Sequence, residues 1–432
     1  MKNYFEDEGN YELVKMWRRD FHRHPQSSWS EFYSTGKIVM ELEALGYKIY
    51  QGEDVIDPEK RLFLPDREIL DYNYNLAIEN GIDERYIIKS KGGLTGVVGV
   101  IEGDIPGPTI AYRFDIDALE INEDLSEDRK AVREEYYSKF EGYSHACGHD
   151  AHTAIGLLLG KYFSENRKKI KGKIKLIFQP DEEKLSGAEA MVAKGILEDV
   201  DFLIGGHIGA NLFELGSIAF DVENILAVTR GEVEYYGVAT HSTGRPDQGK
   251  NAILGACAAI THLNAIARHG KGSTRINVGK ISGGTGYNTI PDYCKFYLET
   301  RAETKEINRY LQNRAEDIIY GAASMYDLKF NYKIVTNVEG GENDEYLIEK
   351  GIEAVKEVKG IKNIKSKLKM NASEDFIIMA NDVKKRGGKS IYVVHGTNVD
   401  GGHHSTTFDF DEKVLINATW FYASMYDSLI ND

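Results

Sequence analysis

An apolar strand pattern that ends in two glutamates occupies positions 173–183, with the sequence KIKLIFQPDEE. The apolar run predicts a strand, and Pro180 ends it because proline cannot donate to a sheet ladder. Glu182 and Glu183 then lie at the carboxyl end of the strand, which is the edge where sites form in an open α/β sheet. Neighbouring side chains point in different directions, so one glutamate can bind a metal ion while the other stays free as a base.

Other apolar runs repeat this strand pattern and alternate with helical patterns. The predicted strands lie at 97–101, 109–114 and 202–204, and the predicted helices at 153–163 and 188–197. This βαβ alternation predicts an α/β fold with a mostly parallel sheet covered by helices on both faces. Before this region, residues 11–46 are predicted to be helical and residues 48–92 to be irregular.

The pattern changes at about residue 227, where alternating strand patterns begin. The predicted strands lie at 231–238, 275–280, 294–300 and 329–335, and the predicted helices at 251–268 and 305–326. The order βαββαβ predicts an α+β domain, a split-βαβ sandwich with an exposed sheet edge. We therefore predict a discontinuous larger domain at 1–226 and 337–432 and an inserted smaller domain at 227–336.

Length and composition indicate the class of protein. A chain of 432 residues is too long for one ordinary core, and 42% hydrophobic with 28% charged residues is typical of a soluble globular protein. No apolar run approaches the roughly 18 residues of a membrane helix, and the acidic start does not resemble a secretory signal. The net charge of -15 argues against nucleic-acid partners. Three cysteines at unrelated spacings make no disulfide framework, so we expect a cytoplasmic protein.

The densest group of metal-binding side chains lies at positions 144–152, SHACGHDAH, which hold a thiol, three imidazoles and a carboxylate. A thiolate and neutral imidazoles are donors that suit zinc and its neighbours, and a Cys-x-His pair can bind one ion from a single turn. Further histidines follow predicted strands, namely His207 after 201–204 and His403 and His404 after 390–394. These side chains predict a metal site.

The motifs resemble the M20 family of metallopeptidases, in particular its amidohydrolase branch, which has cysteine in place of an acidic ligand. The landmarks are WRRDFH at 17–22, RFDIDAL at 113–119, the Cys147 motif, the Glu182–Glu183 pair, NTIP at 288–291, SEDF at 373–376 and FDFDE at 408–412. The stretch RLFLPD at 61–66 is similar to an insertion in members that hydrolyse p-aminobenzoyl-glutamate. The resemblance implies a catalytic metal-binding domain and an inserted lid or dimerisation domain.

The resemblance also implies a role for each motif. The residues that would bind two divalent ions, zinc or manganese, are Cys147, His149, Glu183, His207 and His404. Glu182 would be the general base, because a carboxylate near metal-activated water can take its proton and later deliver it to a leaving amine. His403 is the alternative ligand, but the spacing to Phe408 favours His404. The loop departs from the branch at Thr406, where a proline is usual. Asp117 either orients a ligand histidine or is a simple turn acid.

The inserted domain contributes three further candidates. The segment ATHS at 239–242 resembles the family segment that presents a histidine, here His241, to the scissile carbonyl in the partner subunit. Asn288 and Arg301 resemble residues on the substrate side, where a guanidinium can bind a carboxylate. A surface ion pair is the other interpretation of Arg301, and both stay open.

We therefore expect a metal-dependent amidohydrolase that cleaves N-acyl or N-aroyl amino acids such as p-aminobenzoyl-glutamate. A homodimer is expected, or a heteromer with a related subunit, without nucleic-acid or membrane partners. A dipeptidase or another acyl-amino-acid hydrolase is the alternative within the same class. Other classes are a thiol amidase, with Cys147 as nucleophile and His149 or His152 as its base, and a non-catalytic partner subunit.

Overall fold

The computed structural model describes residues 1–431, and the chain folds as two units. Unit 1 comprises Met1–Glu223, Glu342–Met370 and Glu374–Asp432, and unit 2 comprises Asn224–Gly341 and Asn371–Ser373. The catalytic role predicted for the larger domain and the lid or dimerisation role predicted for 227–336 stay predictions.

Helices and strands alternate along most of the chain. The α-helices are α1 (Lys2–Phe5), α2 (Glu8–Arg23), α3 (Phe32–Ala44), α4 (Arg67–Glu79), α5 (Lys130–Arg133), α6 (His149–Glu165), α7 (Gly187–Val192), α8 (Ala252–Asn264), α9 (Lys305–Met325), α10 (Glu345–Ala354), α11 (Phe376–Lys385) and α12 (Lys413–Ile430). The strands are β1 (Lys48–Gln51), β2 (Val97–Glu102), β3 (Ile105–Asp115), β4 (Lys171–Gln179), β5 (Phe202–Ile208), β6 (Ser217–Ala219), β7 (Val222–Ile225), β8 (Ala227–Tyr236), β9 (Thr240–His241), β10 (Thr274–Gly283), β11 (Thr289–Ile290), β12 (Tyr293–Ala302), β13 (Lys329–Val338), β14 (Asn363–Lys365), β15 (Leu368–Ala372), β16 (Lys389–His395), β17 (Val399–Asp400) and β18 (Asp409–Phe410). Across residues 1–431, no helix combines the length and the apolar character that crossing a bilayer requires.

Unit 1 is built on an eight-stranded sheet in the order β1-β2-β4-β3-β5-β16-β6-β14. The central strands β4, β3, β5 and β16 are parallel, whereas β1–β2, β2–β4 and β16–β6 are antiparallel pairs. Helices α6 and α12 pack against one face of β3, and α7 and α11 pack against β4, β5 and β16. The predicted α/β fold, with a mostly parallel central sheet and helices on both faces, is confirmed.

Alternating side chains of β3 show how the two faces differ. Phe114 points towards α6, where a Cβ added to Gly156 would lie 2.7 Å from the phenyl ring. This close approach packs the middle of α6 against β3. The preceding side chain, Arg113, points to the opposite face and binds Asp375 at the start of α11. Phe114 therefore adds to the apolar core, whereas Arg113 brings a buried charge to the opposite face.

Unit 2 contains a four-stranded antiparallel sheet in the order β10-β12-β8-β13. Helices α8 and α9 pack on it around a separate apolar core. The element order β8, α8, β10, β12, α9, β13 confirms the predicted split-βαβ sandwich. A short pair of strands, β9 and β11, lies outside this sheet and aligns His241 with Thr289.

The prediction that residues 48–92 are irregular is wrong. This region contains β1, which extends the main sheet by pairing with β2, and the helix α4. Leu70, Tyr74 and Ala77 form a narrow apolar stripe on α4 that packs against Phe32 and Tyr33 of α3. Ile69 and Tyr72 of the same helix are exposed whereas Asn73 is buried, so the apolar residues do not follow the buried face and the periodic signal is weak, which explains the error.

Candidate metal centre

The ends of parallel strands and the start of α6 bring the predicted site residues together. Asp117 follows β3, Glu182 and Glu183 follow β4, and His207 lies near the end of β5. His149 is the first residue of α6. The carboxyl ends of parallel strands meet at one edge of the sheet, so residues distant in sequence become neighbours there.

Gly148 determines how Cys147 and His149 are presented. Its φ of 90° lies in the left-handed region, and a Cβ at this position would lie 2.9 Å from Ile208 Cδ1. Only glycine therefore fits without strain. The sharp turn that glycine permits lets the thiol and the imidazole on either side of it reach the same space.

The predicted ligand atoms form two overlapping groups, each with its atoms within 4.8 Å of one another. One group joins Cys147, His149 and His207, and the other joins Cys147, Glu183 and His404. Cys147 Sγ lies 3.4 Å from His207 Nε2. The two carboxylate oxygens of Glu183 lie 3.9 Å from His149 Nε2 and 3.3 Å from His404 Nε2. Two groups that share a thiol can accommodate a pair of neighbouring ions.

The ring orientations also fit metal binding. His149 Nδ1 lies 3.0 Å from the main-chain oxygen and 3.1 Å from the carboxylate Oδ1 of Asp117, and His207 Nδ1 lies 2.7 Å from the Ile208 carbonyl oxygen. Ligand histidines are usually held in this way, with the other nitrogen left for the metal. Within residues 1–431, buried His149 Nε2 and Glu183 Oε1 have no hydrogen-bond partner. Because burial without a partner is costly, these atoms fit a cation ligand set.

Asp117 contacts two predicted ligands at once. Its Oδ1 faces His149 Nδ1, and its Oδ2 accepts a hydrogen bond from the main-chain N–H of Glu183 at 3.0 Å. The side chain is buried. The sequence left two interpretations of Asp117 open. This geometry favours the interpretation in which Asp117 orients a ligand histidine over that of a simple turn acid.

Glu182 is buried beside other carboxylates. Its side chain groups with Glu374 and Asp375 and, separately, with His149 and Glu183. Burial and the nearby charges of Glu374 and Glu183 raise the pKa of Glu182 well above its ordinary value. A carboxylate with a raised pKa suits general acid–base catalysis near neutral pH.

Both histidines between β17 and β18 approach Cys147. His403 Nδ1 lies 3.6 Å from the sulfur, whereas His404 Nε2 faces Glu183 and belongs to the group of Cys147 and Glu183. His404 has a φ of 62°, and its side chain is 54% exposed, so it lies at the open side of the site. The choice of His404 over His403 as ligand stays a prediction.

The sequence reasoning did not find a buried charge network behind the site. Arg113 binds Asp115 at 2.6 Å, Glu374 at 3.0 Å and Asp375 at 2.8 Å. Asp115 also lies 2.5 Å from His152 Nδ1. The acids of the RFDID and SEDF motifs were the available signal, but nothing in the sequence showed that they share one arginine. The network joins the end of β3 to the start of α11, next to Glu182.

The candidates of unit 2 lie in two different settings. His241 and Asn288 are close neighbours, because the N–H of Ser242 donates to the Asn288 carbonyl oxygen at 2.9 Å. Arg301 lies in β12. Its Nε donates to Glu299 Oε1 at 2.7 Å, and its Nη2 donates to Glu299 Oε2 at 3.2 Å. The ion-pair interpretation of Arg301 matches this geometry, and its role as a carboxylate grip stays a prediction.

Known proteins are similar to this chain in sequence and in fold. The sequence model of peptidase family M20/M25/M40 matches residues 111–428. The chain belongs to the M20 family. Indole-3-acetyl-aspartic acid hydrolase of Enterobacter agglomerans is 39% identical over 403 residues, which cover 93% of this chain and 92% of that protein. One subunit of the p-aminobenzoyl-glutamate hydrolase of Escherichia coli (strain K12) is 36% identical over 400 residues, or 92% of each chain.

Solved structures of M20 proteins are also similar to this chain. The aminobenzoyl-glutamate utilization protein from Klebsiella pneumoniae superposes with a TM-score of 0.80 at 34% identity, covering 97% of both chains. The YXEP protein of Bacillus subtilis, described as a dinuclear metal binding peptidase from the M20 family, has a TM-score of 0.70 at 25% identity, covering 97% of this chain and 98% of its own. This M20 protein is therefore a hydrolase of the amidohydrolase type, and divalent metal ions are supported as its cofactors.

Proposed function

We propose that this M20 protein hydrolyses the amide bond of an N-acyl or N-aroyl derivative of an acidic amino acid. The observation that carries the proposal is the pair of ligand groups around Cys147, with the free carboxyl group of Glu182 beside them. The names of the similar proteins supply the substrate class, so p-aminobenzoyl-glutamate and indole-3-acetyl-aspartate are the first substrates to test.

Cys147, His149, Glu183, His207 and His404 would hold two divalent ions. When bound, such ions activate water for attack and stabilise negative charge on the amide oxygen. The thiol favours zinc, but the imidazoles and the carboxylate would also accept manganese, so both metals are candidates.

The protein's own groups supply the proton transfers. Glu182 would take a proton from the attacking water and deliver it to the leaving amine. Asp117 would keep His149 in the orientation that leaves its Nε2 for a metal ion. By the family resemblance, His241 of one copy would contact the scissile carbonyl bound to a partner copy, with Asn288 on the same substrate side. We therefore propose a homodimer, with a heteromer of related subunits as the alternative.

A thiol amidase is the alternative from a different class. Burial and the nearby charge of Glu183 raise the pKa of the Cys147 thiol. A nucleophilic cysteine needs the opposite shift, because the thiolate is the reactive form. The raised pKa favours a metal ligand, which loses its proton when the ion binds.

Hydrolysis by the purified full chain tests the proposal. The substrate panel contains p-aminobenzoyl-glutamate, indole-3-acetyl-aspartate, hippurate and a dipeptide, with the released amino acid quantified by chromatography. We expect turnover of the acidic conjugates, loss of activity on chelation and recovery with added Zn²⁺ or Mn²⁺. Activity that survives chelation but not thiol alkylation would show a thiol amidase, preference for the dipeptide would show a dipeptidase, and no turnover by metal-loaded protein would show a non-catalytic subunit.

A further inference from the structure

The ring of His241 is held from one side by the turn that follows it. The main-chain N–H groups of Thr243 and Gly244 both point at His241 Nδ1, each with a nitrogen–nitrogen distance of 3.3 Å. The hydroxyl oxygen of Thr243 lies 3.0 Å from the same ring nitrogen. Three polar groups therefore converge on one atom of an exposed histidine.

These contacts determine where the ring proton lies. A main-chain N–H can only donate, so Nδ1 must be the acceptor and cannot carry a proton in the neutral ring. The proton of neutral His241 is then on Nε2, and the Thr243 hydroxyl donates to Nδ1 as well. Among residues 1–431, Nε2 has no hydrogen-bond partner, so its N–H is free to donate to another molecule.

The backbone around His241 is held as firmly as the ring. The pairing of His241 with Thr289 and the hydrogen bond from Ser242 to Asn288 hold the start of the turn. The N–H of Arg245 donates to the His241 carbonyl oxygen at 3.3 Å, and this hydrogen bond closes the turn. A fixed backbone and a fixed ring together give the Nε2–H group a defined direction, which is what preorganised stabilisation of charge requires.

We propose that Thr243 is a positioning residue, which together with the Gly244 N–H holds His241 as the Nε2–H tautomer. In the proposed function, on which this role depends, the Nε2–H group donates a hydrogen bond to the scissile carbonyl oxygen. His241 then stabilises developing negative charge, and Glu182 alone performs the proton transfers. The tautomer itself is a property of the turn and can be measured without any substrate.

Nuclear magnetic resonance of the full chain, labelled with ¹⁵N-histidine, measures the tautomer directly. The signals of His241 are assigned from their loss in His241→Gln. We expect a pyridine-type Nδ1 and a pyrrole-type Nε2 in the wild-type protein at a pH where the ring is neutral. A pyrrole-type Nδ1 in the wild-type protein would overturn the proposal, and this result needs no variant that might misfold.

Variants of Thr243 then test the positioning role. Thr243→Val removes the hydroxyl but keeps the N–H, so the ratio of the minor Nδ1–H tautomer to the Nε2–H tautomer should rise by about 5-fold, the effect of one ordinary hydrogen bond. The kcat should fall in proportion to the lost Nε2–H population. KM should change little, and Thr243→Ser should restore both values. Thr261→Val, which removes an exposed hydroxyl on α8, should change neither.

The two proposals fail in different ways. An unchanged tautomer and an unchanged kcat in Thr243→Val would overturn the role of Thr243 while leaving the hydrolase intact. If wild-type protein hydrolysed none of the substrates, the proposed function would fail, but the nitrogen signals of His241 would still decide the tautomer.

Discussion

Replacing Asp117 by asparagine should weaken metal binding without removing a metal ligand. The carboxylate accepts from two sides, with Oδ1 facing His149 Nδ1 at 3.1 Å and Oδ2 facing the Glu183 N–H at 3.0 Å. An asparagine has one acceptor oxygen and one NH₂ group, which can only donate. In the variant, the NH₂ group therefore faces either the Glu183 N–H, which is a clash of two donors, or His149 Nδ1. In the second case His149 must change to the tautomer whose Nε2 carries a proton.

The size of the effect follows from these contacts. A hydrogen bond to a charged group contributes about 1.5–3 kcal/mol. Loss of one such bond beside a metal ligand corresponds to about 10–100-fold in metal affinity, which is also the usual effect of removing a group that orients a ligand. The Asn side chain has nearly the same shape, so the fold should be retained.

Competition with a chromophoric chelator measures the affinity of metal-free protein for Zn²⁺. Asp181→Asn is the matched control, because Asp181 is equally buried and lies on the same turn as Glu183, but its Oδ1 accepts from Ser28 at 2.7 Å. We expect Asp181→Asn to keep the wild-type affinity. Wild-type affinity in Asp117→Asn would refute the reasoning, as would equal losses in both variants.

Two further predictions concern the loop histidines and acid stability. His404→Ala should lower the number of bound ions per chain in elemental analysis, whereas His403→Ala should not; the reverse result would show that the ligand is His403. Although burial raises the pKa of Glu412, Arg19, Arg18 and Lys130 lower it to about 2, so its charge stabilises the fold above the unfolded-state pKa of about 4.3. Glu412→Gln should therefore lower the free energy of unfolding in urea by about 3 kcal/mol at pH 7. This difference from the wild-type protein should shrink as the pH falls from about 4.3 towards 2. A difference that is independent of pH would contradict the prediction.

The parts of the fold that the sequence predicted are those with strong periodic signals. The apolar run at 173–178 and the Ala-rich segment at 251–268 both belong to regular elements of the structure, β4 and α8. Helix α4 was missed because its apolar residues are not confined to its buried face, and β1 because a four-residue edge strand has almost no pattern.

The candidate site could be predicted to a similar extent and for a similar reason. Cys147, His149 and Glu183 carry their chemistry in their residue types, so the sequence alone could single them out as candidate ligands. Contacts between residues far apart in the sequence could not be predicted in this way. The pairing of Arg113 with Asp375, for example, joins residues separated by 262 positions. The Arg301–Glu299 pair was visible in principle, because residues two apart in a strand lie on the same face.

The most direct test of the account combines elemental analysis with turnover for the wild-type protein and Glu182→Gln. The ligand set does not include Glu182, so both proteins should contain two divalent ions per chain. Turnover of p-aminobenzoyl-glutamate by Glu182→Gln should fall by about 100-fold or more, the usual contribution of a general base. Undiminished turnover with the metal content unchanged, or wild-type protein that is active without divalent ions, would contradict the account.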